Sequence, residues 1–282
     1  MDLSILGYQF MQNAILSAVL GGVACGLIGV FVVLMGLPFI GVAISHAAFA
    51  GAMLGLWLDF NPLLGAFVAS FIAAAIIGPL ADRGELSPDT SVGVIFSLML
   101  GLAFLFMGLM PGTKSGALEI LWGSILTNTR SDVMLLGIVA AVVVGLIIAF
   151  YKEFQATIFH RDMALAVGIP ATAIFYGILF LTGATITASL RPIGGLLIFS
   201  LILNPAAAAY QLTYSMKRMF LIAAGFGVLS GLVGLLISYL FNIPSGATIV
   251  ITSSVIFLIS NFLSPKRKVK RWQRPSPLEE GQ

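Results

Sequence analysis

The side chain in this sequence best suited to bind a metal ion is His46. It lies within an apolar segment, 41–51, in which most of its neighbours are alanine or glycine. Neutral imidazole is a good ligand for zinc, manganese or iron(II), and an ionisable group inside an apolar segment is costly enough to suggest a function. The residues leave two interpretations open: His46 is a metal ligand, or it is a structural histidine bonded to a backbone carbonyl.

A second group of polar side chains lies further along the chain, in two neighbouring apolar segments. Its members are Thr182, Thr185, Thr187, Ser189, Ser200 and Asn204. Pro205 follows and leaves the carbonyl one turn before it without its helical partner, and carbonyls of a broken helix can line a transport path. Because most hydroxyls inside apolar helices bond to their own helix, the group more simply predicts local hydrogen bonds.

Several other chemistries are excluded by what the sequence lacks. Cys25 is the only cysteine, so neither a disulfide framework nor a paired-cysteine metal site is possible, and we expect it to be a small buried residue. The only histidines are His46 and His160, too few for a multi-histidine cage. GxxxxGK[ST], HExxH and GxSxG motifs and paired carboxylates in apolar segments are missing. If this chain moves a solute actively, a partner or an ion gradient must supply the energy.

The elements that position these side chains are apolar helices. Of the 282 residues, 59% are hydrophobic and 9% are charged, against roughly a quarter charged in a soluble domain, which excludes a water-soluble fold as well as a disordered chain. A spanning helix needs about 20 mostly apolar residues. Nine segments satisfy or nearly satisfy this: 13–35, 41–58, 62–80, 90–109, 133–151, 171–190, 193–210, 219–240 and 247–263. The sequence predicts an all-α polytopic transmembrane bundle of eight to nine spans over residues 1–263, with tight joints at 36–40, 59–62 and 191–192.

Lysine and arginine indicate which end of this bundle is cytoplasmic, because they are enriched in cytoplasmic loops. With nine spans and a cytoplasmic C-terminal tail, 11 of the 14 basic residues lie inside. The inside group is Arg83, Lys152, Arg161, Lys217, Arg218, Lys266, Arg267, Lys268, Lys270, Arg271 and Arg274, and the outside group is Lys114, Arg130 and Arg191. We therefore expect a multi-pass cell-membrane protein whose basic tail, 264–282, is cytoplasmic and partly disordered. An eight-span arrangement would reverse the side of the N-terminus.

Two loops are long enough to contain short helices. In the outer loop, 111–132, residues 118–126 are expected to form a short helix along the membrane surface. In the inner loop, 152–170, a short amphipathic helix ended by Gly168 would suit a cytoplasmic partner. Ser87 and Pro88 predict the N-cap and first residue of the fourth span.

Small residues recur four positions apart in several of the predicted spans. The pairs are Gly22/Gly26, Gly51/Gly55, Gly227/Gly231 and Ser230/Gly234. This spacing lets helix backbones approach closely where lipid supplies no hydrophobic driving force. We interpret the pairs as packing within one bundle, with a seam between two copies as the alternative.

Four motifs follow one another along the chain and together span most of residues 10–262. They are Gly-Val-Phe-Val-Val-Leu (29–34) with Ala-Ile-Ser-His-Ala (43–47), then Leu-Ser-Pro-Asp-Thr-Ser-Val-Gly-Val-Ile-Phe-Ser (86–97), then Leu-Trp-Gly-Ser-Ile-Leu (121–126) with Asp132, and finally the run from Phe159 through Gly-Gly-Leu-Leu (194–197) to Pro-Ala-Ala-Ala-Ala (205–209). In order and spacing they resemble the integral membrane permeases of ABC importers for manganese, zinc and iron. Each motif alone is weak, and together they are specific.

This resemblance implies a type II ABC importer-like membrane domain that is homodimeric or paired with a related permease. It implies two cytoplasmic ATP-binding cassette subunits, which hydrolyse ATP in place of this chain, and an extracytoplasmic metal-binding protein. The cargo would be a divalent metal ion, with no permanently bound cofactor and no nucleic-acid partner. His46 would lie on the translocation path. The segment coupling to the ATPase would consist of Phe159, His160, Arg161, Asp162, Met163, Ala164, Leu165, Ala166, Val167, Gly168 and Ile169.

The sequence departs from the family's pattern in two places, one single residue and one pair. The family usually has Asp one helical turn before the histidine, where this sequence has Val42, and a basic pair often found before the second span is replaced by Gly36 and Leu37. The missing carboxylate leaves several readings open: a different metal, a chelated ion, or ligands supplied elsewhere. Ser45 and Asn204 are weak candidates for such ligands.

Two other functions compete with a metal-importer permease. A secondary transporter would work without an ATPase, but the spans lack a carboxylate for proton or sodium coupling. A non-transporting membrane scaffold is disfavoured by His46 and by the polar group in the sixth and seventh spans.

Overall fold

The computed structural model describes residues 7–83, 88–195 and 197–266. These residues form twelve α-helices and one short 3-10 helix, Ile125–Thr127, with no strand among them. The α-helices are α1 (Gln9–Leu34), α2 (Phe39–Trp57), α3 (Pro62–Arg83), α4 (Pro88–Leu109), α5 (Ser115–Trp122), α6 (Arg130–Ala149), α7 (Tyr151–Phe159), α8 (Arg161–Ala166), α9 (Ala171–Ile193), α10 (Ile198–Leu212), α11 (Met216–Phe241) and α12 (Ser245–Phe262). The all-α prediction is confirmed. The predicted N-cap at Ser87 and the tail beyond Lys266 lie outside the described residues.

Eight of these helices are long and apolar enough to cross a membrane: α1, α2, α3, α4, α6, α9, α11 and α12. α10 is apolar but has only 15 residues. At a rise of 1.5 Å per residue it covers about 22 Å, less than the hydrocarbon core of about 30 Å. Eight long helices and a short ninth confirm the prediction of eight to nine spans.

The junction between α9 and α10 differs from the predicted one. The joint predicted at 191–192 is wrong, because α9 continues through Pro192 and ends at Ile193. Proline has a helical φ and costs a helix only its missing N–H and a local clash, which bundle neighbours in a membrane protein can accommodate. The chain turns instead at Gly194, where φ is +100°, a conformation that favours glycine. α10 likewise continues through Pro205.

A short external segment covers this turn. The predicted helix at 118–126 is displaced: α5 ends at Trp122, because Gly123 adopts a φ of +67°. Two backbone hydrogen bonds join the segment to the turn, from Gly195 N to Ile120 O at 3.1 Å and from Ser124 N to Arg191 O at 3.1 Å. Non-helical backbone near membrane depth is stable only when protein buries it. α5 and the 3-10 helix therefore complete the bundle where α10 is too short.

Two clefts identify the ends of the bundle. Leu34, Phe159, Tyr210, Ser215 and Lys266 line one cleft, so the ends of α1, α7, α10 and α12 meet there with the beginning of α11. We call this the inner end. The opposite, outer end is marked by a cleft that includes the ends of α2, α5 and α9 and the beginnings of α3 and α6. The positive-inside rule assigns the inner end to the cytoplasm, because most basic residues follow or precede helices there.

The small residues predicted to mediate close packing do so within this chain. A Cβ added to Gly22 would lie 2.5 Å from the backbone of Gly227, and one added to Gly26 would lie 2.5 Å from the carbonyl oxygen of Ala223. α1 and α11 therefore cross with their backbones in contact. A Cβ on Gly234 would lie 2.6 Å from the backbone of Ile249 on α12. Packing within the bundle, rather than a seam between copies, explains these pairs.

We expect Gly227→Leu to destabilise the protein by about 2–3 kcal/mol, because a side chain there would overlap the Gly22 backbone. Gly225→Leu is the matched control on the same helix, since a Cβ at Gly225 meets no atom within 4 Å. Thermal unfolding of both variants in detergent measures the difference. Equal unfolding temperatures would contradict the packing of α1 against α11.

Candidate translocation site

α2 carries His46 and is among the most deeply buried helices of the bundle. Its alanines and glycines leave room for neighbours on every side, and it packs against α3, α4 and α9. A helix surrounded in this way is typical of the interior of a membrane bundle, where small residues permit close approach. The small residues around His46 in the sequence therefore reflect a packed helix rather than a lipid-facing one.

The His46 ring is fixed by two contacts. Its Nδ1 lies 2.9 Å from the carbonyl oxygen of Val42, one turn earlier on α2. Its ring meets the ring of Phe96 on α4 edge to face, with centroids 4.8 Å apart. Only 6% of the residue is exposed. A carbonyl can only accept, so a neutral His46 carries its proton on Nδ1.

The remaining ring nitrogen is the chemically interesting one. With Nδ1 donating, Nε2 has a free lone pair, and it makes no hydrogen bond to any described residue. Histidines that bind metals usually donate their other N–H to a carbonyl or carboxylate in this way. The geometry is thus compatible with both interpretations of the sequence: one ring nitrogen makes a structural hydrogen bond, and the other is available as a ligand atom.

Ser45 makes a hydrogen bond that holds α2 to the α9–α10 turn. Its hydroxyl donates to the carbonyl oxygen of Gly195 at 2.5 Å, and the side chain is fully buried. This bond satisfies a carbonyl that is outside regular helix, as buried polar groups require. Ser45 therefore lies against the turn, while its neighbour His46 lies against α4.

Asn204 lies on α10 and faces α12. Its Nδ2 donates to the hydroxyls of Ser253 and Ser254, both at 3.0 Å. The amide oxygen of Asn204 is the atom that could serve a cation, since the nitrogen is occupied. The three candidate ligands thus contact three different neighbours: α4, the α9–α10 turn and α12.

No cage of protein ligands is formed around these residues. Within 7–83, 88–195 and 197–266, no group of three or more His, Cys, Asp or Glu side chains could hold a metal ion. A cation meeting His46 would need further ligands from water, from a chelator or from another chain.

Several of the polar side chains in the sixth and seventh spans contact neighbouring helices. Thr182 donates to its own helix at Ile178 O (2.7 Å), whereas Thr187 meets Ser70 of α3 at 3.1 Å. Ser189 lies 3.8 Å from the sulfur of Cys25, which is buried as predicted. Own-helix bonding is therefore confirmed for Thr182, whereas Thr187 and Ser189 join α9 to α3 and α1. The buried hydroxyl of Thr185 has no hydrogen-bond partner among the described residues.

The predicted coupling segment forms two short helices separated by His160. His160 has φ −149° and ψ 72°, which interrupts the helix between α7 and α8. α8 begins at Arg161, whose guanidinium carbon lies 5.0 Å from the centre of the Phe175 ring on α9. A cation over an aromatic ring stabilises such a contact. Arg161 thus fixes the beginning of α8 to the body of the bundle.

α8 has a buried and an exposed side. Ala164 is 2% exposed, whereas Met163, Leu165 and Val167 are 66%, 46% and 75% exposed. Gly168 ends the helix with a φ of +85°, and the Ile169 N–H bonds back to the Ala164 carbonyl at 2.9 Å. The predicted short helix and its glycine stop are confirmed. Its apolar side is presented at the inner end.

Sequence reasoning missed a polar cleft at the outer end. A cleft of about 260 Å³ is lined by Glu119, Asn128, Thr129, Asp132 and Arg191 among others. Asp132 accepts from Thr129 at the start of α6 and forms an ion pair with Arg191 at 3.4 Å. The signal available in the sequence was the Thr-x-x-Asp capping pattern. The arrangement fixes the beginning of α6 to the end of α9.

Comparisons with known proteins identify relatives of this chain. Residues 7–264 match the ABC 3 transport family. The chain is 32% identical to the manganese transport system membrane protein MntC of Listeria monocytogenes, over 93% of this chain and 94% of that one, and 29% identical to a probable iron transport system membrane protein of Haemophilus influenzae, over 90% and 94%. The solved structure of PsaBC from Streptococcus pneumoniae in complex with a Fab shares its fold with a TM-score of 0.86 and 31% identity, over 96% of this chain and 98% of that one.

The likeness covers all the spans as well as α8, so it is not confined to a shared motif or to part of the bundle. The predicted multi-pass cell-membrane protein and the predicted resemblance are both confirmed. The chain belongs to the ABC 3 transport family.

Proposed function

We propose that this chain is the membrane-spanning permease of an ATP-driven importer for a divalent transition metal ion, namely zinc, manganese or iron. The observation that supports this most is the end-to-end likeness to manganese and iron transport membrane proteins. The chain supplies the path, and the ion is its cargo rather than a resident cofactor.

His46 is the residue we propose for contact with the passing ion. Its Nδ1 is held by the Val42 carbonyl, so its Nε2 is available as a ligand. Ser45 and Asn204 are weaker candidates, because their donor groups already bond to Gly195 O and to the α12 hydroxyls. A single imidazole binds a divalent ion weakly, which favours release.

We propose three kinds of partner. Two ATP-binding cassette subunits would dock at residues 159–169, where α8 exposes apolar side chains at the inner end. An extracytoplasmic metal-binding protein would deliver the ion at the outer end. A second copy of the permease would complete the path, which agrees with the incomplete ligand set around His46 among the described residues.

Measurement of elemental uptake tests this proposal directly. Cells with and without this chain are compared for accumulation of manganese, zinc, iron and cobalt, and the chain is tested for co-purification with an ATP-binding subunit. We expect one or two of these metals to depend on the chain. A secondary transporter would accumulate metal without the ATP-binding subunit, and a scaffold would leave all four metals unchanged.

We expect Val42→Asp to raise uptake of manganese relative to zinc by about tenfold, the lower end of what changes around a metal ligand produce. Residues four apart on a helix lie on the same side, so the new carboxylate would join the imidazole of His46. Carboxylate oxygen is a harder ligand than imidazole and favours manganese. Val42→Asn is the matched control without the charge. An unchanged metal ratio in Val42→Asp would show that position 42 does not face the ion.

A further inference from the structure

Three basic side chains at the inner end lie outside both the proposed translocation path and α8. Lys217 and Arg218 lie in the first turn of α11, and Lys266 follows the end of α12. No carboxylate forms an ion pair with any of these three within the part of the chain that the structure describes. Five more basic residues follow within the next eight positions: Arg267, Lys268, Lys270, Arg271 and Arg274. We call Lys217, Arg218 and Lys266 the basic corner.

Within the described residues, Lys266 is the member of the basic corner with the most side-chain contacts. Its ammonium lies 3.6 Å from the ring centre of Tyr210 and 4.7 Å from that of Tyr214, and it donates to the carbonyl oxygen of Tyr210. Burial lowers the pKa of Lys266 below its ordinary value. An ammonium has three N–H donors, so this positioned cation has capacity left for an anion.

A cleft of about 240 Å³ opens beside Lys266. Its polar rim is formed by Thr213, Tyr214, Ser215 and Lys266, and its apolar wall by Leu34, Phe159, Met216 and Met219. The rim offers hydroxyl and ammonium donors, while the wall offers only hydrocarbon, aromatic and thioether surface. Such a cleft fits a molecule that is anionic at one end and apolar at the other.

The beginning of α11 carries an unusual charge pattern. Helix N-termini have a partial positive charge and favour acidic residues. α11 has no acid in its first turn and no side-chain N-cap, and instead presents Lys217 and Arg218 there. Both are exposed. An anion bound nearby would offset this accumulation of positive charge.

We propose that the basic corner binds the phosphate of anionic phospholipids in the inner leaflet. The corner lies where the last span ends, and the exposed rings of Tyr210 and Tyr214 are typical of the headgroup level. Basic clusters immediately beyond a final span are characteristic of binding to anionic lipid. The cleft supplies a place for the glycerol and the first part of an acyl chain beside Lys266.

Lipid retention tests the proposal on the purified full chain. The protein is incubated with an equimolar mixture of phosphatidylglycerol and phosphatidylcholine in detergent, and retained lipids are counted by native mass spectrometry. We expect the wild type to retain phosphatidylglycerol in excess. Lys217→Gln with Lys266→Gln should reduce that excess at least about fivefold, since a single basic residue near an anionic surface contributes a factor of that size. Added salt should reduce it too.

Two further pairs make the result specific. Lys114→Gln with Arg130→Gln removes the same charge from exposed positions at the outer end and should leave the excess unchanged. Lys217→Gln with Arg218→Gln leaves the contacts of Lys266 intact and should still lower it, so a folding defect at Lys266 does not decide the outcome. An unchanged excess in both inner-end pairs, or an equal loss in the outer-end pair, overturns the proposal. Loss of a co-purifying ATP-binding subunit with lipid retained would overturn it as well and would assign the corner to protein docking.

Discussion

His46→Ala is expected to lower metal uptake about tenfold or more, the range found when groups around a metal are removed. The variant removes the only imidazole of the described spans and with it the available Nε2. The remaining candidates nearby are hydroxyl and amide groups that already bond to other residues, such as Ser45 to Gly195. Uptake is measured with the metal that the elemental profile identifies, at equal amounts of permease in the membrane.

Stability separates the two roles of His46. His46→Ala loses the hydrogen bond from Nδ1 to Val42, which lies within one helix and contributes about 1 kcal/mol. It also loses the edge-to-face contact with Phe96, which contributes about 1 kcal/mol more. Ser230→Ala is the matched control, because Ser230 is buried and bonds to its own helix at Phe226 O. We expect His46→Ala to unfold at a somewhat lower temperature than Ser230→Ala, but both to be present in the membrane at equal amounts and only His46→Ala to lose uptake. Normal uptake in His46→Ala would remove this residue from the path.

The bundle could be predicted because hydropathy is a strong signal over about 20 residues. The points where the chain turns between helices were harder to predict, since two sequence signals competed at the end of α9. Pro192 suggested the joint, yet a proline fits a helix if neighbours accommodate it, and the chain turns at Gly194. The position of the turn depends on its hydrogen bonds with the external segment, which involve Ile120 of that segment and Arg191 of α9. Contacts between residues more than 50 positions apart cannot be read from local pattern.

The candidate site was predicted in part for a similar reason. His46 could be found because an imidazole among alanines is conspicuous. The orientation of Ser45 and Asn204 was not accessible, because rotation of a helix about its axis depends on packing against neighbours. Ser45 points to the α9–α10 turn and Asn204 to α12, each to satisfy a hydrogen bond inside the bundle. The helical wheel alone gives no preference between these partners.

Met163→Asp combined with Val167→Asp is expected to abolish co-purification of the ATP-binding subunit and to lower uptake at least about tenfold. Both side chains are largely exposed: Met163 lies on α8, and Val167 follows its last residue and directly precedes the glycine that ends the segment. An apolar side chain at the centre of an interface contributes about 2 kcal/mol or more when it is a hot spot. Replacing it by a carboxylate adds the cost of burying an unpaired charge.

The permease itself should tolerate this change, because the substituted side chains are exposed and Ala164 remains to pack α8 against the bundle. Met163→Leu combined with Val167→Ile keeps the apolar surface and should retain both the partner and uptake. Pull-down of the ATP-binding subunit and uptake are measured together with thermal unfolding of the permease. If the partner stays bound to the Asp variant, α8 is not the docking element. If the Asp variant instead unfolds, Met163 and Val167 pack against this chain or against lipid. The apolar surface at α8 is then not a docking site for a cytoplasmic partner.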